Sequence, residues 1–365
     1  MLRVALVEPF FSGSHASWAN GLKKHSSHDI TLFTLPGRHW KWRMTAGAVP
    51  LAHAINESAI PFDVCLATSM TDVALLKALV HKANEMKFML YMHENQVAYP
   101  WSPNDEDVNL KRDRHYIYKQ FASALAADHI AFNSAYNQSS FLEGLPDFLR
   151  VFPDFQGVEY LQGIRQKSSI LPLGLDLQRF DIHQCEDSSD VPLVLWNHRW
   201  EFDKNPELFF ETLVQLHDEG VPFSLAVLGE QYRDSPPIFE KARQELDSHI
   251  VHWGYADTFE EYARWLWKAD VLPVTSRQDF FGISMCEAVY CGASPILPER
   301  LAFPEIINDQ ACYYRTEQEF KALLREGLTR SEKRRSYRGR ITRFDWSNQK
   351  LYYDKWLAKP DEYQQ

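Results

Sequence analysis

Leu2-Arg-Val-Ala-Leu-Val-Glu-Pro-Phe-Phe-Ser-Gly-Ser-His15 opens the chain with an apolar run, a proline and a Gly13-Ser-His15 turn. A helix-like stretch follows over residues 16–25, so the segment reads as strand, tight turn and helix, with Pro9 ending the strand. The same rhythm returns at residues 29–35, 62–68, 88–93 and 129–133, each an apolar run passing into polar or Gly/Ser-containing residues and then a longer helical pattern. Alternation of this kind predicts a parallel sheet covered by helices. A second series starts at 192–197 and continues through 223–229, 250–254, 271–275 and 293–297. The expected fold class is therefore α/β, with two doubly wound parallel-sheet units in tandem. The expected divisions are 1–175, 176–345, and a final segment 346–365 whose helix packs back on the first unit; the polar stretch 183–190 belongs to the junction.

Composition agrees with two globular domains. The chain has 365 residues and 45% hydrophobic content, enough for two cores. No apolar run approaches the ~20 residues of a bilayer span, and Arg3, Glu8 and Pro9 interrupt the first run, so a cytoplasmic location without membrane attachment is expected. Cys65, Cys185, Cys286, Cys291 and Cys312 show no paired short spacing, which excludes a zinc ribbon and a disulfide framework. A formal charge of -10 excludes a protein that coats nucleic acid non-specifically while leaving room for a local basic site.

In open α/β sheets ligands bind beyond the carboxyl ends of the strands, so the residues after each apolar run carry the chemistry. The turn with Gly13, Ser14 and His15 precedes a helix and offers backbone N–H groups to a phosphate, or is there for backbone geometry alone. Arg199 and Lys204 follow the first strand of the second unit, where they hold a diphosphate or pair with Glu201 and Asp203. Gln278-Asp-Phe-Phe-Gly-Ile-Ser-Met-Cys-Glu287 places Asp279 in a loop and Glu287 in the next helix. Two carboxylates at that spacing suit the hydroxyls of one sugar-bearing ligand, and the Phe280-Phe281-Gly282 turn aims helix-start N–H groups at a phosphate. Pro36-Gly-Arg-His-Trp-Lys-Trp-Arg43 interleaves cations with two indoles, the composition for stacking bases and meeting phosphates. Packing of those tryptophans between the domains is the structural alternative. Asp105-Glu-Asp107 lies in a polar loop and is expected to be a solvated loop rather than a metal triplet. The Lys333–Arg343 run is expected to be a solvated helix face.

The glycine turn, the hinge Pro172-Leu-Gly-Leu-Asp176, the Arg/Lys pair and the acidic pair with seven intervening residues resemble the retaining GT-B glycosyltransferases. His93-Glu-Asn-Gln-Val-Ala-Tyr-Pro100, Phe132-Asn-Ser134, Trp196-Asn-His-Arg-Trp200, Phe280-Phe-Gly282 and Glu287-Ala-Val-Tyr-Cys-Gly292 resemble, more narrowly, the tRNA-queuosine mannosyltransferase family, from the first strand to about Glu305. The resemblance implies two Rossmann-like domains facing each other across a cleft. It also implies transfer of mannose from GDP-mannose, with retention and without a metal or other cofactor, to the cyclopentenediol of queuosine in a tRNA anticodon. Carried over residue by residue, it gives Arg199 and Lys204 the leaving diphosphate and Glu287 the ribose hydroxyls. Asp279 would hold the hexose, where related enzymes usually have Glu, and His93 would position the sugar or act as a base. Gly13, Ser14, His15, Asn197, Phe281, Gly282, Ile283 and Ser284 would complete the donor site. Arg38, His39, Trp40, Lys41, Trp42, Arg43, Glu94, Asn95, Gln96, Lys111 and Arg112 would meet the tRNA. Two other readings fit the residues: the same scaffold with a lipid, protein or metabolite acceptor, and a nucleotide-sugar or RNA-binding module without catalysis.

Overall fold

The computed structural model describes residues 1–102, 105–110, 114–185, 190–231, 235–329 and 336–363. It forms two compact units, Met1–Asp176 joined by the segment from Phe344 onward, and Leu177–Arg343. The chain thus leaves the first unit at 176/177 and returns at 343/344, against expected divisions at 175/176 and 345/346. Backbone pairing sets these limits, because Leu175 N–H donates to the Phe344 carbonyl at 2.8 Å and Trp346 N–H to the Leu175 carbonyl at 2.9 Å.

The first unit carries β1 (Arg3–Phe11), β2 (Asp29–Pro36), β3 (Val64–Thr68), β4 (Lys87–Met92), β5 (His129–Phe132) and β6 (Ser168–Ile170). They form one parallel sheet in the order β2-β1-β3-β4-β5-β6, which reverses direction between β1 and β3. All five residues of β3 are buried, as expected for a strand covered on both faces. Pro9 does not end β1. The strand runs on to Phe11, with the register against β2 shifting between Glu8 and Phe11, and at such an irregularity the missing proline N–H removes no ladder bond. The first helix, Gly13–His25, starts at the turn itself, three residues earlier than the apolar periodicity suggests.

The second unit carries β7 (Leu193–Trp196), β8 (Ser224–Val227), β9 (Ile250–Trp253), β10 (Val271–Pro273), β11 (Ser294–Pro298) and β12 (Tyr313–Tyr314). Their order is β12-β11-β10-β7-β8-β9, again parallel, with the reversal between β7 and β10. The edge strands β6 and β12, three and two residues long, are too short to show a period in sequence.

The helix Trp346–Ala358 belongs to the first unit and packs on the helix Gly13–His25. Trp346 is buried and stacks parallel to His25 at 5.9 Å. Two glycines make room for it: a Cβ on Gly21 would come 2.2 Å from the indole nitrogen, and one on Gly174 would come 2.4 Å from its ring. Two turns along the same face, the Tyr353 hydroxyl accepts Trp18 Nε1–H at 2.9 Å and lies 2.7 Å from the Tyr91 hydroxyl, which donates to the Leu171 carbonyl at 2.7 Å. Gly174→Ala is expected to cost about 1–3 kcal/mol through overpacking. Trp346→Ala is expected to cost about 3–5 kcal/mol through the cavity it leaves. Urea midpoints at unchanged m-value measure both.

Candidate active site

In the second unit, Asn197 and His198 follow the end of β7, and Thr275 to Asp279 follow β10, so both segments emerge at the point where the sheet order reverses. Between them starts the helix Ile283–Tyr290, preceded by Gly282 at φ +84°, where a Cβ would also crowd the Phe303 ring at 2.9 Å. This left-handed residue turns the chain so that the first helical N–H groups face outward from the sheet edge. Asn197 Nδ2–H donates to the Ser284 carbonyl at 2.8 Å, and His198 Nδ1 lies 2.8 Å from the Ser284 hydroxyl.

Lys204 is held on three sides. Its ammonium lies 3.1 Å from Asp203, 3.3 Å from Asp279 and 3.1 Å from the Gln278 carbonyl. Asp203 is 2% exposed, so this cation compensates a buried carboxylate as well as facing the loop of Asp279. Arg199 pairs with Glu201 at 3.0 Å and remains half exposed. Burial pushes the Glu201 carboxyl up, against the pull of Arg199. On the next helix, Glu287 accepts from Arg179 at 3.1 Å and from the Tyr262 hydroxyl at 2.7 Å. Burial raises its pKa, and those two partners only partly oppose the rise. Burial also holds the His198 imidazole at about 4, with Lys204 adding to the effect, so this ring is neutral near pH 7. Asn197 Oδ1, His198 Nε2 and Asp203 Oδ1 are buried and make no hydrogen bond among the described residues. Buried unpaired polar atoms are costly, and their gathering at one strand edge marks a surface shaped for a polar ligand.

In the first unit, Glu8, three residues before the end of β1, is fully buried and accepts from Phe10 N–H at 2.7 Å and from His15 Nδ1 at 2.8 Å. His93 follows β4, with ring centres 4.6 Å from His15, 4.5 Å from Trp18 and 4.8 Å from Tyr91. Burial, with His15 adding to it, puts the His93 pKa well below the ordinary histidine value. Among the described residues, Glu8, His15 and His93 bring ligand-type atoms within 4.8 Å of one another, a set of the kind zinc accepts. His15 Nδ1, however, is directed at Glu8, so two of the three groups face each other as hydrogen-bond partners instead of a shared centre. Gly13 and Ser14 are exposed at the helix start, and the next residue, His15, reaches the buried carboxylate of Glu8.

The residues expected to meet the tRNA divide into two kinds. Arg38, His39 and Trp42 are exposed, Trp42 by 61%. Trp40 packs within the first unit, its ring 5.2 Å from Tyr116 and 6.1 Å from Trp101. Lys41 sits 2.5 Å from Asp105 and 2.7 Å from Asp107. Burial lowers its pKa, but the bonds and charges of these two aspartates outweigh that and raise it. Asp105 and Asp107 are therefore not a solvated loop: they clamp a lysine, and Asp105 also accepts Asp107 N–H at a helix start. Arg43 donates to the Pro36 carbonyl at 3.2 Å. Asn95 is fully buried, bonded to Asn137, Ser140 and Ala98, and Gln96 is 4% exposed with its N–H on Gln120. Glu94 accepts from Gln96 at 3.1 Å. Phe281 is buried, so its ring is turned away from solvent. Lys111, Arg112 and residues 333–335 lie outside the described residues. Of the rest of the basic run, Arg338 bonds Asp181 at 2.7 Å and lies over Tyr290, and Arg343 bonds the Glu305 carbonyl at 2.8 Å; these are structural anchors rather than a solvated face.

Residues 3–175 match the family model for the tRNA-queuosine alpha-mannosyltransferase N-terminal domain, and residues 192–328 that for group 1 glycosyl transferases. A tRNA-queuosine alpha-mannosyltransferase from Drosophila melanogaster is 34% identical over 319 residues, covering 85% of this chain and 83% of that protein. The chain belongs to the tRNA-queuosine alpha-mannosyltransferase family. As a member of that family it is a hexosyltransferase. Its two parallel-sheet units are those of the GT-B glycosyltransferase fold. Sucrose-phosphate synthase from Thermosynechococcus elongatus superposes at a TM-score of 0.69 with 14% identity, over 99% of both chains. Anabaena Alr3699/HepE in complex with UDP and glucose superposes at 0.69 with 12% identity, over 98% of this chain and 100% of that one.

The pairing of Arg199 and Lys204 with Glu201 and Asp203, one of the two sequence readings, is present; sequence reasoning missed Glu8, Arg179, His198 and Tyr262 as parts of these clusters. Glu8 carried a signal, since a carboxylate in an otherwise apolar central strand needs a buried partner. Arg179 carried none, being 108 residues from the carboxylate it bonds.

The His198 ring gives a pH test. Its pKa is 6.5 unfolded and about 4 in the native state, so the unfolded chain binds more protons between those values and stability falls as pH drops through that window. The loss at pH 4.5 relative to pH 7 is expected to be about 2–3 kcal/mol from this residue, and His198→Asn should lack that component. Urea unfolding of both proteins at the two pH values measures the difference.

Proposed function

We propose that the protein transfers mannose from GDP-mannose, with retention, to the cyclopentenediol of queuosine in a tRNA anticodon. The observation that carries this reading is the constellation at the β7/β10 edge of the second unit, together with the named activity of the Drosophila relative. Glu287, held by Arg179 and Tyr262, has lone pairs left for ribose hydroxyls. Lys204, kept in place by Asp203 and Asp279, faces the developing charge of the departing diphosphate, and Arg199 adds a second cation. The free N–H groups of Gly282, Ile283 and Ser284 complete the anion site at the helix start. Fixed cations and backbone dipoles take the part a divalent metal plays in other nucleotide-sugar enzymes, so the proposed transfer needs none. Asp279 keeps one oxygen on Lys204 and offers the other to the hexose.

No group in this cluster is placed as a nucleophile, which suits a retaining transfer in which the departing phosphate itself takes the acceptor proton. The C1–O bond to phosphate breaks, its electrons stay on the diphosphate, and the acceptor oxygen bonds C1 on the same face. The Gly13 to His15 turn is left out of the donor site, because a diphosphate there would lie close to the buried Glu8 carboxylate. Arg38, His39 and Trp42 are the exposed groups available for the tRNA, with Trp42 as a stacking surface.

Among the described residues no helix is long and apolar enough to cross a membrane. A macromolecular acceptor in water is the proposed partner, and the cytoplasm the proposed location.

The deciding experiment is incubation with GDP-mannose and tRNA carrying or lacking queuosine, with nucleoside mass spectrometry for an added hexose. Queuosine-dependent product is expected, and hydrolysis of GDP-mannose without product would send the search to another acceptor. Lys204→Ala and Glu287→Ala should lower turnover by about 10²–10³ in initial-rate assays, with circular dichroism unchanged. Trp42→Ala should raise the KM for tRNA about 5- to 100-fold and leave that for GDP-mannose within twofold.

A further inference from the structure

The helix Ile283–Tyr290 meets β7 through Ser284, which two consecutive residues grip at once: Asn197 on the carbonyl and His198 on the hydroxyl. His198 is itself fixed. Its carbonyl accepts the Trp196 indole N–H at 2.9 Å, its ring stands edge-on to Trp196 at 5.3 Å, and Gly229 brings its backbone so close that a Cβ there would lie 2.1 Å from the His198 oxygen. Among the described residues nothing else bonds the imidazole, and Nε2 is buried without a partner.

That unpartnered nitrogen decides which way the Ser284 proton points. A neutral imidazole carries one N–H and one lone pair. If the proton were on Nε2, a buried N–H would be left without an acceptor, one of the rarest features of native structures. With the proton on Nδ1 the orphan is a lone pair, which is tolerated better, and Nδ1–H donates to the Ser284 oxygen. The serine O–H is then not engaged by His198 and is available to a ligand. Ser284 is only partly buried, and it occupies the second position of a helix whose N-cap, Gly282, has no side chain to satisfy the free N–H groups.

We propose that Ser284 binds the donor diphosphate through its hydroxyl as well as its backbone, and that His198 is the positioning residue that turns this hydroxyl outward as a donor. The inference rests on the reading of this edge as the nucleotide-sugar site and adds a side-chain contact and its orienting group to it. A charge-assisted bond of this type also distinguishes a diphosphate from a nucleoside, since only the former reaches the helix start.

The test is equilibrium binding of GDP and of guanosine, by isothermal titration calorimetry, to the wild-type protein and to four variants of the full chain. Ser284→Ala is expected to weaken GDP about 10- to 100-fold and to leave guanosine within twofold. His198→Ala should match it. His198→Asn, whose amide nitrogen can stand where Nδ1 stands, should bind GDP within about threefold of wild type. The double variant Ser284→Ala/His198→Ala should be no weaker than either single one, because the histidine acts through the serine. GDP binding unchanged in Ser284→Ala would overturn the proposal, as would losses that multiply in the double variant or fall equally on guanosine. Ser284→Ala removes one partly buried oxygen and keeps the test valid where His198→Ala fails to fold. Tighter binding of UDP or ADP than GDP, with the same serine-dependent gap between diphosphate and nucleoside, would uphold this inference while refuting the guanine donor.

Discussion

A parallel strand covered on both faces has no place for a charged side chain except at its ends, and both sheets of this protein are built under that constraint. β3 and β7 are buried along their whole length, and β4 at all but its first residue. Polar chemistry is consequently pushed towards the carboxyl edges, where Glu8 lies in the last half of β1, His93 follows β4, and Asn197 and His198 follow β7 at the point where the second sheet reverses its order. The same constraint makes the strands legible as apolar runs and the sites legible as the residues that follow them.

Charges near these edges are partly or wholly withdrawn from solvent, and they are paired. Lys204 lies among two carboxylates and a carbonyl, Glu287 between a guanidinium and a phenol, and Lys41 between two aspartates. The two buried histidines that follow strands, His93 and His198, are held neutral, because an added charge would have no solvent to stabilise it. In the second unit, the Lys204 ammonium is held in place by partners that are themselves buried or bonded, the kind of pre-arrangement that the proposed stabilisation of a departing diphosphate calls for. Breaking one member of such a set leaves its partner buried and uncompensated, so substitutions there act on stability as well as activity.

The first unit is closed by residues far apart in sequence. Trp346 fills the space left by Gly21 and Gly174, and the Tyr353 hydroxyl ties Trp18 to Tyr91. Trp18 and Tyr91 in turn wall the His93 ring. The chain's last helix is thus part of the support beneath a strand-end histidine, and a change at Tyr353 reaches that ring through two aromatic contacts.

By itself the sequence determined the α/β class, most of the strands, the return of the final helix and the polar loops that follow the strands. These depend on local periodicity and on composition at strand ends, which the chain displays directly. Edge strands of two or three residues show no period, and Pro9 could pass through β1 only because the register slips beside it. Which polar groups face which was decided by tertiary structure alone. Arg179 finds Glu287, His198 finds Ser284, and Lys41 finds Asp105 only after the sheets assemble, since the separations are 108, 86 and 64 residues. The same assembly turned Asn95 and Gln96 inward and left Trp42 exposed, because burial is a property of the packed layers and not of the residue types.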